Sequence, residues 1–159
     1  MIIHIEWKGP FSLDKSSELD TGRDYGVYQV YGYHPSYGPN SLLYIGQANQ
    51  QTFCKRLTQE EWELEYRDFN FFVGRLADVK QPSDDVWRQR ISLAERLLIF
   101  ALSPAYNSSG LQSPLGKEFY DVHILNWRNF GSLLPEVSGN RFSTKFDDPP
   151  NYKVFELKL

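Results

Sequence analysis

The stretch that decides the fold runs from Tyr25 to Gly46 and reads YGVYQVYGYHPSYGPNSLLYIG. Its two arms, Tyr25–Tyr31 and Leu42–Gly46, are rich in aromatic and β-branched residues, which suit a pleated, half-buried surface. The glycine, proline and asparagine residues between the arms favour turns. The pattern predicts two antiparallel strands joined by a long hairpin loop, with Tyr28 and Tyr44 within reach of each other across the sheet.

Periodicity outside this stretch predicts the remaining elements. Strand-like segments with alternating or aromatic-rich character occur at residues 2–7, 69–76, 119–127 and 152–159. Helical spacing occurs at residues 52–64 and 84–102. The second helix is the clearer one, because Ser83 is a favourable N-cap and Pro104 ends the pattern.

The segments between these elements contain many turn-forming residues. We expect residues 8–24 to be mostly loop with at most a short helical turn, and residues 128–150 to be irregular. The predicted fold is α+β: a small central antiparallel sheet flanked by helices, with extra strands at the N- and C-termini.

Composition favours one globular domain over residues 1–159. Aromatic residues make up 16% of the chain, which supplies apolar mass for a core. The single cysteine, Cys54, excludes an internal disulfide and fits a reducing compartment. The N-terminus does not resemble a signal peptide, and no apolar run is long enough to span a membrane. We therefore expect a cytoplasmic protein that does not insert into a membrane.

Two triplets in the opening stretch, Gly26-Val27-Tyr28 and Tyr44-Ile45-Gly46, resemble the paired signature of the GIY-YIG nuclease superfamily. Further residues follow in the order that this family uses: Arg56 on the next predicted helix, Glu95 on the later helix and Asn107 just beyond it. The resemblance covers about residues 25–107. It leaves an N-terminal extension at 1–24 and a C-terminal extension at 108–159.

The resemblance implies a metal-dependent endonuclease that hydrolyses DNA phosphodiester bonds. In that interpretation Tyr28 positions or activates the attacking water, supported by Tyr44, and Asn107 braces the site. Arg56 contacts the phosphate, because a guanidinium can bind two oxygens and oppose developing negative charge. Glu95 holds one Mg²⁺ or Mn²⁺ ion, a hard cation that prefers oxygen ligands and keeps most of its waters.

Three residues beside these positions are candidates for contacting the substrate: Gly46, Gln47 and Lys55. Gly46 leaves room for close approach of the substrate. Gln47 stands where many family members have lysine or another polar group. Glu60 stands where many have histidine or tyrosine.

These two departures and the net charge of −3 motivate an alternative function. In that alternative the chain is a catalytically weak or inactive module of the same fold that binds nucleic acid or a protein partner. A nuclease domain whose C-terminal extension serves assembly or target choice is a further possibility.

Glu95 is the most informative of the candidate residues. The helical projection places it at the edge of the apolar stripe, and Ser92 and Leu98 are among its neighbours on the helix. None of the residues three or four positions away on the helix is a cation, so burial of the carboxylate requires a compensating group from outside the helix. A metal ion or Arg56 would provide it, and an ordinary tertiary ion pair is the alternative.

Overall fold

The computed structural model describes residues 1–59, 69–111 and 115–142. Its strands are β1 Ile2–Phe11, β2 Gly26–His34, β3 Gly38–Ala48, β4 Asn70–Ala77, β5 His123–Arg128 and β6 Glu136–Ser138. Its α-helices are α1 Phe53–Gln59 and α2 Asp84–Leu102, and short 3-10 helices span Leu13–Leu19, Lys117–Phe119 and Gly139–Arg141.

The strands form one strongly curled, six-stranded mixed sheet in the order β3-β2-β4-β1-β5-β6. The pairings β2–β3, β2–β4, β1–β4 and β5–β6 are antiparallel, whereas β1–β5 is parallel. The predicted α+β class is confirmed. The expectation of a purely antiparallel sheet is wrong, because the long connection through α2 returns the chain to the far side of β1 as a parallel neighbour.

The hairpin formed by β2 and β3 is longer than the sequence predicts. Its strands continue to His34 and from Gly38, so only residues 35–37 form the loop. Of the two irregularities in the β2–β3 pairing, one lies between Val30 and Tyr31, in the predicted strand, and the other between Gly32 and His34, in the segment predicted as a long loop. Pro39 is tolerated there because β3 is an edge strand, where a missing backbone donor breaks no inner ladder.

The N-terminal strand also extends past its predicted end at residue 7. β1 reaches Phe11, and its pairing with β4 is irregular between Lys8 and Phe11, where Pro10 stands. Residues 8–24 are therefore not mostly loop, since they contain the end of this strand and the 3-10 helix Leu13–Leu19. Proline is accepted in strands at such irregular positions.

The other predicted elements differ from the structure mainly at their ends. Helix α2 has the predicted bounds, β4 lies at 70–77, and the strand predicted at 119–127 appears as β5. The segment predicted as irregular contains β6 and a 3-10 helix. The end of the first predicted helix (residues 60–64) and the terminal strand (152–159) lie outside the described residues.

Two apolar clusters cover opposite faces of the sheet. One cluster contains the buried face of α2, including Ile91, Ala94 and Leu98, with alternate residues of the strands such as Ile45. The other contains Phe53 and Leu57 of α1 with Tyr28, Val30, Phe71 and Val73. Strands β2, β3 and β4 thus send alternate side chains to the two clusters.

None of the helices in the described part of the chain has the length and apolar character needed to span a membrane.

A buried ion pair fixes the entry of the chain into β2. Asp24 is 2% exposed, and Arg75 of β4 donates to its Oδ1 through Nε (3.2 Å) and Nη2. The backbone N–H and hydroxyl of Thr21 donate to the other oxygen at 2.8 and 2.6 Å. Burial acts to raise the pKa of Asp24, but the hydrogen bonds from Thr21 and Arg75 outweigh it, so this pKa lies below 3.8.

We expect Arg75→Met to lower the free energy of unfolding by about 3 kcal/mol at pH 7, because the Asp24 carboxylate stays buried without its cation. The loss should shrink as pH falls below 3.8, where the carboxylate becomes protonated. Urea unfolding at several pH values measures both effects. Arg128→Met is the control, because its pair with Glu6 is exposed. Equal losses in the two variants would contradict the expectation.

Candidate functional site

The two tyrosines of the paired triplets meet on the α1 side of the sheet. Tyr28 of β2 lies opposite Gly46 of β3, and the Tyr28 and Tyr44 ring centroids are 6.1 Å apart. Tyr28 is fully buried, whereas Tyr44 is partly exposed. Of the two phenols, Tyr44 is therefore the one nearer to solvent.

Gly46 makes this arrangement possible. A Cβ atom at Gly46 would lie 2.5 Å from the Tyr28 hydroxyl oxygen and 2.7 Å from Cε1 of Tyr44. The space that the sequence assigns to an approaching substrate is thus taken by the two rings. Gly46 therefore makes room for the packing of the two tyrosines, and its contact with a substrate stays a prediction.

Glu95 lies on the other side of β3, where α2 packs. Its Oε2 accepts a hydrogen bond of 2.6 Å from Nε2 of Gln47. Gln47 follows Gly46 on β3, so strand alternation turns its side chain toward α2. Glu95 and Gln47, both predicted from sequence as site residues, are in direct contact.

Polar neighbours hold the Gln47 amide from the opposite end. Its Oε1 accepts hydrogen bonds from Ser92 Oγ and Asn49 Nδ2, both at 3.0 Å. The same Asn49 nitrogen contacts Ser92 Oγ at 3.0 Å and the Arg88 carbonyl at 3.1 Å. Sequence analysis missed Asn49 and Ser92 as site residues. The spacing of three residues between Ser92 and Glu95 does indicate that these two side chains share a face of α2.

The carboxylate of Glu95 has an unusual environment. Burial raises the pKa of Glu95 from 4.5 to about 7, against the opposing effects of the Gln47 hydrogen bond and the positive charges of Arg56 and Arg96. The surrounding groups therefore offset only part of the free-energy cost of burying the ionised carboxylate. Neither a plain tertiary ion pair nor the hydrogen bond restores the ordinary acidity of this carboxyl group.

Arg56 connects the two sides of the site. It lies on α1, the helix that covers the tyrosines, yet its charge acts on Glu95 on the α2 side. This effect is electrostatic: β3 is an edge strand, so charges on its two faces can act on each other around the edge. Lys55, the neighbouring candidate, is exposed to solvent on α1.

Asn107 holds the edge strand from outside the sheet. The Ile45 N–H donates to its Oδ1 at 3.0 Å, and its Nδ2 donates to the Ile45 carbonyl at 2.9 Å. The backbone N–H of Tyr106 adds a bond of 2.7 Å to the Leu43 carbonyl. Asn107 thus occupies the position of a further strand and fixes β3 between the two triplet residues Tyr44 and Gly46, in agreement with a bracing role.

The candidate residues therefore form two connected groups. Tyr28, Tyr44 and Gly46 lie together on the α1 face, while Glu95 and Gln47 lie together on the α2 face. Arg56 acts between them, and Asn107 holds the strand that carries most of them. Lys55 is exposed on α1 beside Arg56, and its contact with a substrate stays a prediction.

The fit to a divalent cation depends on Glu95 alone. Within residues 1–59, 69–111 and 115–142, no three His, Cys, Asp or Glu side chains converge as a metal centre. Within the same three ranges, no residue donates a hydrogen bond to Oε1 of Glu95, so this carboxylate oxygen is left for a ligand. This donor set fits hydrated Mg²⁺ or Mn²⁺ held through one carboxylate, and does not fit a cation that needs several protein ligands.

Comparisons with protein-family models, curated protein sequences and solved structures found no match to this chain.

Replacing Glu95 by glutamine should stabilise the protein at high pH. The raised pKa means that ionisation of Glu95 costs free energy in the folded state, and this cost develops as pH rises from 4.5 through about 7. At pH 8 we expect Glu95→Gln to be more stable than the parent protein by about 2–3 kcal/mol. At pH 4.5 the two should be nearly equal. Thermal and urea unfolding test this, and a difference that is the same at both pH values contradicts it.

Replacing Asn107 by aspartate should destabilise the β3 edge. The carboxylate still accepts from the Ile45 N–H but cannot donate to the Ile45 carbonyl, so a buried acceptor loses its partner. We expect a loss of about 2 kcal/mol in the free energy of unfolding. Asn129→Asp is the matched control, because its bond to the Gly9 carbonyl is exposed and water can replace it. Hydrogen exchange at Ile45 reports whether the effect is local.

Proposed function

We propose that this protein is a metal-dependent endonuclease that hydrolyses phosphodiester bonds in DNA. The observation that carries the proposal is the Glu95 carboxylate, kept at an energetic cost beside Gln47 and within the field of Arg56, on the face of β3 opposite the Tyr28–Tyr44 pair. Carboxylates with raised pKa values and specific partners are typical of functional sites. The resemblance of the two triplets to the GIY-YIG superfamily supports the same activity.

Each residue has a role that its position permits. A divalent cation bound by Glu95 would polarise the phosphoryl oxygen and stabilise charge on the leaving oxygen. Arg56 contacts the non-bridging oxygens of the phosphate, where a guanidinium opposes the growing negative charge. Asn107 keeps β3 in register so that Tyr44 and Gln47 hold their places on its two faces.

The burial of Tyr28 indicates which phenol meets the substrate. Because Tyr44 is partly exposed and Tyr28 is not, we assign the positioning of the attacking water to Tyr44. Tyr28 supports the Tyr44 ring from behind. This exchanges the two roles that the family resemblance implies.

A second function, binding of nucleic acid or a protein partner without cleavage, is favoured by one observation. Both ends of the Gln47 amide are engaged within the protein, so at most one of its N–H groups is left for a substrate. A gel-shift with strong salt dependence and no cleavage would support this function over the first.

We expect Glu95→Gln, Arg56→Gln and Tyr44→Phe each to lower the rate of plasmid cleavage with Mg²⁺ or Mn²⁺ by about 100-fold or more. Excess chelator should abolish cleavage by the parent protein. Matched controls are Glu136→Gln and Tyr33→Phe, whose side chains are exposed away from the site.

Two results would count against this mechanism. If Glu95→Gln cleaves DNA at the rate of the parent protein, the Glu95 carboxylate has no part in the mechanism. If Tyr28→Phe lowers the cleavage rate more than Tyr44→Phe does, Tyr28 positions the attacking water, as the family resemblance implies.

A further inference from the structure

The orientation of the Gln47 amide is determined by its neighbours. Ser92 Oγ and Asn49 Nδ2 both donate to its Oε1, so Nε2 faces Glu95. A flipped amide would set its NH₂ group against the Asn49 NH₂ group and its carbonyl oxygen against the Glu95 carboxylate. Only the observed orientation pairs each donor with an acceptor.

Asn49 is itself fixed in orientation. Its Nδ2 approaches three acceptors, Gln47 Oε1, Ser92 Oγ and the Arg88 carbonyl, at 3.0–3.1 Å. Rotation of this amide would replace its donor by an acceptor at all three contacts. Asn49 therefore links the end of β3 to α2, because the same side-chain nitrogen bonds to Gln47 and to two residues of the helix.

Stability alone does not account for these polar groups. Asn49 Oδ1 is enclosed and accepts no hydrogen bond from residues in the described part of the chain, which costs free energy. The adjacent contact between α2 and the sheet is apolar, through Ile91, Ala94 and Leu98. The network therefore keeps one enclosed oxygen without a partner among the described residues, a cost that the apolar contact beside it does not carry.

We propose that Ser92 and Asn49 are positioning residues for Glu95. They lock the Gln47 amide so that it holds Oε2 of Glu95 and leaves Oε1 to bind a divalent cation. The inference extends the proposed function, because it gives the cation site a fixed geometry. Neither residue touches the substrate, and both act through Gln47.

The first measurement needs no metal or substrate. Removal of the hydroxyl in Ser92→Ala should shift the side-chain NH₂ resonances of Gln47 in ¹H–¹⁵N spectra and bring its two proton shifts closer together. Ser92→Thr retains the hydroxyl and should restore the parent resonances. Ser83→Ala is the matched control on the same helix, because the Ser83 side chain makes no capping hydrogen bond there.

The second measurement uses Mn²⁺ alone, followed by electron paramagnetic resonance. Ser92→Ala and Asn49→Ala should weaken Mn²⁺ binding about 10–100-fold, the usual effect of removing a group that orients a metal ligand. In cleavage assays the same variants should lower kcat and leave KM nearly unchanged. Ser92→Thr and Ser83→Ala should behave like the parent protein in both assays.

The outcomes separate this inference from the proposed function. Gln47 resonances in Ser92→Ala that match those in Ser83→Ala would overturn it, as would shifted resonances with unaltered Mn²⁺ affinity. If the parent protein neither binds Mn²⁺ nor cleaves DNA, the proposed function and the positioning for a cation both fail. The Gln47 spectra then still establish whether Ser92 and Asn49 orient that amide.

Discussion

A carboxylate between a helix and an edge strand is the constraint on which the site depends. Glu95 lies where α2 packs on β3, and burial there raises its pKa to about 7. The hydrogen bond from Gln47 and the charge of Arg56 oppose this rise without cancelling it. Groups from β3 and α1 therefore act on the carboxylate that α2 carries.

Strand β3 is the element that brings the parts of the site together. Alternation along it sends Tyr44 and Gly46 toward α1 and Gln47 toward α2, so a single strand serves both faces. As the edge of the sheet it lacks a partner strand on one side, and Asn107 supplies backbone-like hydrogen bonds to Ile45 there. The same edge location allows Arg56 to act on Glu95 around the sheet.

The local sequence pattern predicted most helices and strands correctly, but it predicted their end residues less accurately. Helix α2 was correct in type and bounds because its apolar stripe, its N-cap position and Pro104 all agree. The hairpin loop is shorter than predicted, because the strands continue past glycine and proline through irregular pairing along an edge. The parallel pairing of β1 with β5 was missed because no local signal reports which strands become neighbours.

The sequence by itself determined the α+β class, the hairpin of paired tyrosines, and the placement of Glu95 at the margin of an apolar stripe. These features follow from short-range periodicity and side-chain chemistry, because each depends only on residues that are close together in the sequence. Only the tertiary structure decided that Gln47 bonds Glu95, that Ser92 and Asn49 orient Gln47, and that Tyr28 is buried while Tyr44 is not. Those relations depend on how α2 docks against β3, and the orientation of a docked helix is set by packing among residues distant in the chain.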